Sequence, residues 1–278
     1  MKIFETKRAL AEELHPFKEK GMSIGFVPTM GALHQGHISL IEQCRKENCV
    51  TVASIFVNPT QFNDQNDLVN YPRTFPEDVE KLNDVGCDYL FAPEVNEIYP
   101  EKDTRQFDFG MLDKVMEGAF RPGHFNGVAQ VVTKLFDMVQ PEKAYFGEKD
   151  FQQLAIIRYI VKKLGYPVEI VACPIIREPD GLAMSSRNTR LTAAQRKSAP
   201  LIAQTLFESK KKVASMPLKD LKEWVINQIN RSEELNVEYF DIVDRESLQP
   251  AIIYQENALQ GCIAVFAGKV RLIDNIAY

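Results

Sequence analysis

The sequence contains no long apolar run, a single tryptophan and few cysteines among its 278 residues. No apolar stretch approaches the roughly 20 residues that a membrane-spanning helix needs. The N-terminal segment MKIFETKRALAEELHPF has no apolar core of the length found in secretion signals. We therefore expect neither a membrane partner nor secretion, and we predict a cytoplasmic protein.

The cysteines and the charge balance argue against two further classes of protein. The five cysteines are odd in number and form no CxxC pair, so reduced core thiols are favoured over a disulfide framework. The formal net charge of -5 leaves no basic footprint for bulk nucleic acid. A globular protein without a nucleic-acid partner is expected.

Short β-rich runs alternate with helical patterns through the first two thirds of the chain. The β-rich runs lie at residues 23–27, 50–57, 89–91, 144–146 and 168–173. The helical patterns lie at residues 38–47, 77–85, 128–139 and 151–164. This alternation predicts an α/β fold with a doubly wound parallel sheet, in which ligands bind at the carboxyl ends of the strands.

The pattern changes after Pro174. Helical patterns come first and β-rich runs follow, at residues 193–215, 218–233, 238–243, 263–266 and 270–273. Helices followed by strands predict a second, smaller α+β domain. We place the boundary near Ile176, which gives domains of residues 1–176 and 177–278.

Two histidines lie beside glycines in the turn between the first predicted strand and the first predicted helix, where the sequence reads PTMGALHQGH. Gly31 and Gly36 allow a close backbone approach, and the helix N-terminus offers N–H groups that suit phosphate. A P-loop is excluded because His37 and Ile38 stand where a lysine and a hydroxyl residue are required. Zinc is disfavoured because His34 and His37 have no convincing third ligand. A glycine turn with two surface histidines is the alternative, and we favour a phosphate site.

Three other loops carry polar side chains that suit a nucleotide or a small acid. Lys149 in FGEKD lies at a predicted helix mouth, where it either binds phosphate or solvates the helix end. Ser185, Ser186 and Arg187 in MSSRN form an oxyanion-binding set or a polar linker. Gln61 in NPTQF binds a polar substrate or is a surface residue in a turn, and the sequence alone favours the turn.

Two weaker candidates remain. Glu77 and Asp78 open a predicted helix, where acidic residues are common because of the helix dipole, and they are candidate magnesium ligands. Arg121 and His124 in the turn RPGHF either contact a substrate or shape its pocket, and the sequence does not separate these possibilities.

Together these motifs resemble those of a known family. HQGH and MSSRN resemble the HIGH and KMSKS signatures of the nucleotidyltransferase superfamily, which includes the class I aminoacyl-tRNA synthetases. More specifically, the chain resembles the pantoate–β-alanine ligase (pantothenate synthetase) family. The resemblance runs in order through FVPTMGALHQGH, SIFVNPTQF, YPRT, RPGHFNGVAQVV, YFGEKDFQQL and MSSRN.

The resemblance implies a reaction and an architecture. Members of the family condense (R)-pantoate with β-alanine, using ATP and Mg²⁺, and release AMP and pyrophosphate in the biosynthesis of pantothenate, a precursor of coenzyme A. The reaction passes through a pantoyl-adenylate. A Rossmann-like N-terminal domain, a smaller C-terminal domain that partly covers the site, and a homodimer are implied as well.

Matching positions carry the family's ligands onto this sequence. His34, His37, Lys149 and Arg187 are the candidate catalytic residues at the phosphates. Gln61 and Gln153 are the implied pantoate ligands. The metal position matches loosely, to Asp78 or Glu77. The implied ATP-binding residues are Met30, Gly31, Ala32, Leu33, His34, Gln35, Gly36, His37, Gly147, Glu148, Lys149, Asp150, Ile176, Met184, Ser185, Ser186 and Arg187.

Two other functions share part of this pattern. A nucleotidyltransferase that transfers AMP onto a phosphate and stops there shares the HxGH argument. A nucleotide-binding regulator without turnover would bind ATP and release no pyrophosphate. A tRNA-charging role is disfavoured because the chain is acidic and no region resembles an anticodon-binding domain.

Overall fold

The computed structural model describes residues 1–278 and divides them into two compact units. The first unit comprises Met1–Phe109, Arg121–Glu148 and Gln153–Pro174. The second unit comprises Gly110–Phe120, Lys149–Gln152 and Ile175–Tyr278. Two short segments from the middle of the chain therefore belong to the C-terminal unit, and the predicted domain boundary near residue 176 stays a prediction.

A six-stranded parallel sheet organises the first unit. Its strands are β1 (Lys2–Phe4), β2 (Ile24–Thr29), β3 (Val50–Ile55), β4 (Tyr89–Phe91), β5 (Lys143–Gly147) and β6 (Glu169–Cys173). The strand order is β1-β4-β3-β2-β5-β6, and every neighbouring pair is parallel. From β2 the chain adds β3 and β4 on one side, and then β5 and β6 on the other side, while β1 lies at the edge beside β4. The sheet is therefore doubly wound, as predicted. The switch point between β2 and β5 is where such sheets bind ligands.

Helices cover both faces of this sheet. They are α1 (Lys7–Glu19), α2 (Gln35–Glu47), α3 (Gln65–Val69), α4 (Phe75–Asp84), α5 (Val95–Ile98), α7 (His124–Val139) and α8 (Phe151–Leu164). Along β2, Phe26 packs into one apolar cluster with α1, α7 and α8, while its neighbour Val27 packs into another with α2 and α4. Successive strand residues point to opposite faces, so β2 is buried on both sides.

The second unit is built on an antiparallel sheet. Its strands are β7 (Leu235–Asp244), β8 (Leu259–Ala267) and β9 (Val270–Ala277), in that spatial order. Its helices are α6 (Met116–Phe120), α9 (Ala193–Ser198), α10 (Leu201–Lys212) and α11 (Leu218–Ile229). Apolar side chains of α10, α11 and the sheet form one core. The predicted smaller α+β part is confirmed. No helix of the chain combines the length and apolarity needed to cross a membrane.

Several element predictions are corrected by the structure. The sequence patterns do not predict β1 and α1. Because these two elements precede β2, the histidine turn follows the second strand rather than the first. The predicted helix 193–215 is two helices, because Pro200 lies between α9 and α10 and has no N–H to continue the first. The predicted strand 238–243 is longer, spanning Leu235–Asp244.

Candidate active site

The two histidines of the HQGH motif form the N-terminal cap of α2. The helix begins at Gln35, three residues earlier than predicted, because His34 is its N-cap. Nδ1 of His34 accepts the N–H of Gly36 at 3.1 Å, and Nδ1 of His37 accepts the N–H of His34 at 3.3 Å. A ring nitrogen that accepts carries no proton, so these bonds assign the proton of each neutral imidazole to Nε2.

The rings of His34 and His37 therefore present a pair of N–H donors. Their centroids lie 4.1 Å apart, at the mouth of a 13-residue helix whose first N–H groups carry partial positive charge. The turn follows β2, at the carboxyl edge of the sheet and beside the switch point. Two donors at a helix N-terminus form an anion-binding arrangement.

The turn before the histidines has an unusual backbone. Gly31 has φ of +79° and Ala32 has φ of +50°, in the left-handed region that L side chains rarely adopt. Thr29 Oγ1 accepts the N–H of Gly31 at 3.1 Å and donates to the carbonyl of Ser54 at 2.7 Å. The end of β2 is therefore joined to the end of β3 where the turn begins.

Asp78 of α4 uses its carboxylate to hold this turn. Oδ2 accepts the N–H of Ala32 at 2.8 Å, and Oδ1 accepts the N–H of Leu33 at 2.7 Å and the hydroxyl of Thr74 at 3.2 Å. The side chain is buried, with 1% of its residue surface exposed. A magnesium ligand needs an oxygen directed at the ion and room for its waters. Asp78 already accepts three hydrogen bonds that hold the turn, and its assignment as a magnesium ligand stays a prediction.

Gln61 lies in a tightly packed turn after β3. Asn58 donates to the Gln61 side-chain oxygen at 3.1 Å, which directs the amide nitrogen of Gln61 towards Met30 Sδ at 3.2 Å. His124 Nδ1 lies 2.8 Å from the Gln61 carbonyl, and Arg121 Nη1 lies 3.2 Å from His124 Nε2. Arg121 and His124 thus shape the surroundings of Gln61, a role that the sequence could not separate from substrate contact.

A cavity of about 290 Å³ opens beside the histidine turn within the first unit. It lies at the carboxyl ends of β2, β3 and β4, because its lining comes from the segments that follow these strands. The lining residues are Met30, Gly31, Ala32, Ile55, Phe56, Val57, Arg73, Thr74, Phe75, Asp78, Pro93, Glu94 and Val95. Of the predicted site residues, Met30, Gly31, Ala32 and Asp78 line this open cavity.

Three further predicted residues of the first unit lie near the end of β5. Gly147 ends this strand, next to β2 in the sheet, and a Cβ atom there would meet no atom within 4 Å. Glu148 follows it, and Gln153 lies half-buried in α8. Open space beside Gly147 suits the close approach of a ligand to the backbone.

In the second unit, Lys149 is fixed through its backbone. Asn275 donates to the Lys149 carbonyl at 2.9 Å, while the Lys149 ammonium pairs with Asp150 at 3.2 Å. The amide of the neighbouring Gln152 is bound to the backbone of residues 112, 115 and 117. Asn275 was not singled out in the sequence, where a lone asparagine near the C-terminus carries no signal.

The MSSRN segment of the second unit extends from a small hairpin. The carbonyl of Ile176 accepts the N–H of Met184 at 3.0 Å. Arg177 forms a bidentate ion pair with the buried Asp274, at distances of 2.6 and 2.9 Å. Ser185 caps the 3₁₀-helix Ser186–Arg190 by accepting the N–H of Arg187 at 3.2 Å. The MSSRN segment is thus an ordered, capped turn rather than an irregular linker.

A doubly wound sheet with a glycine–histidine turn at its switch point is the arrangement typical of nucleotide-binding α/β proteins. A model of the pantoate–β-alanine ligase family matches residues 2–277. The chain therefore belongs to the pantoate–β-alanine ligase family, and it is a ligase that joins pantoate to β-alanine.

Individual relatives and solved structures agree with this assignment. The chain is 55% identical over 279 residues to the pantothenate synthetase of Bacteroides thetaiotaomicron, covering 100% of this chain and 99% of the relative. The crystal structure of pantothenate synthetase from Thermus thermophilus superposes with a TM-score of 0.93 at 42% identity, covering 100% and 99% of the two chains. The crystal structure of pantoate–β-alanine ligase from Francisella tularensis, complexed with "Beta-gamma ATP" and β-alanine, superposes with a TM-score of 0.86 at 36% identity. The match covers 100% of this chain and 97% of that chain.

Proposed function

We propose that this protein condenses (R)-pantoate with β-alanine through a pantoyl-adenylate, at the expense of ATP. A carboxylate oxygen of pantoate attacks the α-phosphorus of ATP, and pyrophosphate leaves. The amine of β-alanine then attacks the acyl carbon, AMP leaves, and the amine gives up a proton. The observation that carries the proposal is the pair of imidazole N–H donors at the mouth of α2.

The histidines are proposed to bind the triphosphate as hydrogen-bond donors. Nε2–H of His34 and of His37 would donate to phosphate oxygens, together with the N–H groups that begin α2. Because both Nδ1 atoms are bound to backbone N–H groups, the ring orientation is set before ATP arrives. Charge that develops on the leaving pyrophosphate then meets donors that need no reorganisation.

Lys149 and Arg187 are proposed to complete the phosphate contacts. An ammonium and a guanidinium neutralise the leaving group, and no protein nucleophile is required. The remaining ATP contacts are proposed for the residues that the family resemblance assigns. They are Met30, Gly31, Ala32, Leu33, Gln35, Gly36, Gly147, Glu148, Asp150, Ile176, Met184, Ser185 and Ser186.

Gln61 and Gln153 are proposed to bind pantoate, with Gln61 also near β-alanine. Asn58 holds the Gln61 oxygen, so the Gln61 amide nitrogen is the donor available to a hydroxyl or carboxylate of the substrate. A site built to hydrogen-bond a substrate hydroxyl discriminates strongly against analogues that lack it.

Magnesium is proposed to arrive with ATP, held by phosphate oxygens and water. This ion commonly keeps several waters and binds through substrate phosphates. The Asp78 carboxylate is already bonded to two backbone N–H groups and a hydroxyl, so no step is assigned to a metal held by that residue.

Three properties complete the proposal. A homodimer is proposed from the family resemblance, and sedimentation of the purified protein tests it. A cytoplasmic location is proposed because all five cysteines are unpaired thiols. A functional division into residues 1–176 and 177–278 is proposed as well, and limited proteolysis would test it.

An AMP-release assay tests the proposed reaction. With ATP and pantoate alone, free AMP should be absent, because the adenylate stays intact until an amine attacks it. Addition of β-alanine should release AMP and pyrophosphate in equal amounts. AMP release that ignores β-alanine, or pyrophosphate release with no acid present, would contradict the ligase reaction.

A further inference from the structure

We propose that Asp78 and Lys81 are positioning residues that clamp the backbone of residues 31–33 and thereby aim the two histidines at the triphosphate. The inference rests on the proposed function of the histidines. It assigns to α4 a part in catalysis that involves no contact with substrate.

The peptide groups around Leu33 are held from both sides by one helix. Asp78 Oδ1 accepts the Leu33 N–H at 2.7 Å, and Lys81 Nζ donates to the Leu33 carbonyl at 2.7 Å. Asp78 Oδ2 also accepts the N–H of Ala32 at 2.8 Å. Residues three apart on a helix share a face, so the Asp-x-x-Lys spacing delivers an acceptor and a donor to the same short segment.

The clamped segment needs such support because of its backbone. Ala32 has φ of +50°, and a conformation this uncommon for an L residue persists only where the surroundings over-determine it. Gly31 has φ of +79°, and a Cβ atom there would lie 3.1 Å from Asp78 Oδ2. A glycine at this position therefore lets the carboxylate approach the turn closely.

The clamp is directly connected to the histidines along the chain. The carbonyl that Lys81 binds belongs to Leu33, so it shares a peptide group with the N–H of His34. That N–H is the donor that fixes Nδ1 of His37. A rotation of this peptide would therefore change both the helix cap and the proton position of the His37 ring.

Two substitutions separate the clamp from a metal site. Asp78→Asn keeps the shape of the side chain but replaces one acceptor oxygen with an NH₂ group that faces a backbone N–H. Lys81→Met removes the ammonium, which cannot be a metal ligand, and keeps a similar length. Glu80→Gln is the matched control, because it removes a carboxylate from an exposed position of the same helix.

The readouts are kcat, the KM values for ATP and pantoate, and the Mg²⁺ concentration for half-maximal rate. We expect Asp78→Asn to lower kcat/KM for ATP by about 10²-fold, the cost of a displacement of about 1 Å in a reacting group. Lys81→Met should lower it by about tenfold, for the loss of one charge-assisted hydrogen bond. The KM for pantoate and the half-saturating Mg²⁺ concentration should stay unchanged, and Glu80→Gln should match the wild type.

Three results would overturn the clamp. One is normal ATP kinetics in both variants, while the wild type is active. Another is a raised Mg²⁺ requirement in Asp78→Asn together with a normal Lys81→Met enzyme, which would make Asp78 a metal ligand. The third is a loss of rate in both variants that disappears when the rate is expressed per folded active site, as measured by active-site titration.

Amide hydrogen exchange keeps this test independent of the proposed reaction. The N–H groups of Ala32 and Leu33 should be protected in the wild type and in Glu80→Gln, and should exchange faster in Asp78→Asn. If the wild type releases no AMP, the proposed function fails while the clamp is still tested by exchange. Equal protection in wild type and Asp78→Asn would refute the clamp whatever the activity.

Discussion

Replacement of Gly127 by alanine tests whether the turn that carries Gln61 must be held in place. Gly127 lies in the first turns of α7, and its carbonyl accepts a hydrogen bond from Asn58 at 3.1 Å. A Cβ atom at this position would lie 2.4 Å from the carbonyl oxygen of Thr60 and 2.8 Å from the backbone nitrogen of Gln61. Because both contacts are with backbone, no side-chain rotation can relieve them.

The magnitude follows from these distances. Ordinary carbon contacts begin near 3.4 Å, so the helix and the turn must separate by about 1 Å. Overpacking of this kind costs about 1–3 kcal/mol, and the better helix propensity of alanine offsets about 1 kcal/mol. The variant should therefore fold, while a displacement of about 1 Å at Gln61 costs on the order of 10²-fold in rate.

The assay is steady-state AMP release with each substrate varied in turn. We expect Gly127→Ala to raise the KM for pantoate and lower kcat, with a smaller effect on the KM for ATP. Asn58→Ala loosens the same turn without adding volume, and it should affect the same substrate. Normal pantoate kinetics in a folded Gly127→Ala protein would refute the idea that this packing positions Gln61.

Three other predictions can be checked with standard assays. His37→Ala and Lys149→Ala should each lower kcat by about 10²–10³-fold, the usual cost of losing one preorganised donor. The control is His15→Ala, which replaces an exposed histidine of α1. Near-normal turnover of His37→Ala or Lys149→Ala would remove that residue from the mechanism. Gln153→Ala should raise the pantoate requirement more than the ATP requirement, and equal effects on the two substrates would contradict its assignment. Alkylation of the native protein should modify only Cys49, which is exposed, and mass measurement detects the added groups. In denatured protein all five thiols should react. Rapid modification of several thiols in the native protein would contradict the burial of the other four. Burial raises the pKa of the remaining thiols, to about 12 for Cys44 and Cys87, to about 11 for Cys173, and further for Cys262.

The sequence by itself determined the class of fold and the location of the glycine–histidine turn that is proposed to bind phosphate. A parallel strand that is buried on both faces has a near-continuous apolar sequence, and β3 shows this pattern. The glycines and histidines of the turn are local in sequence, so their chemistry could be judged without knowledge of distant residues. The predicted start of α2, at Ile38, is three residues late because a histidine is not a usual N-cap residue.

Only the tertiary structure decided which residues hold these motifs in place. Asp78 looks like an acid at a helix start, and its bonds to Ala32 and Leu33 join positions 46 and 45 residues apart. Gly127 looks like a weak point in a helix, and its contact with Thr60 depends on how α7 packs on the turn. Such contacts are set by the winding of the chain around the sheet, and local spacing carries no record of them.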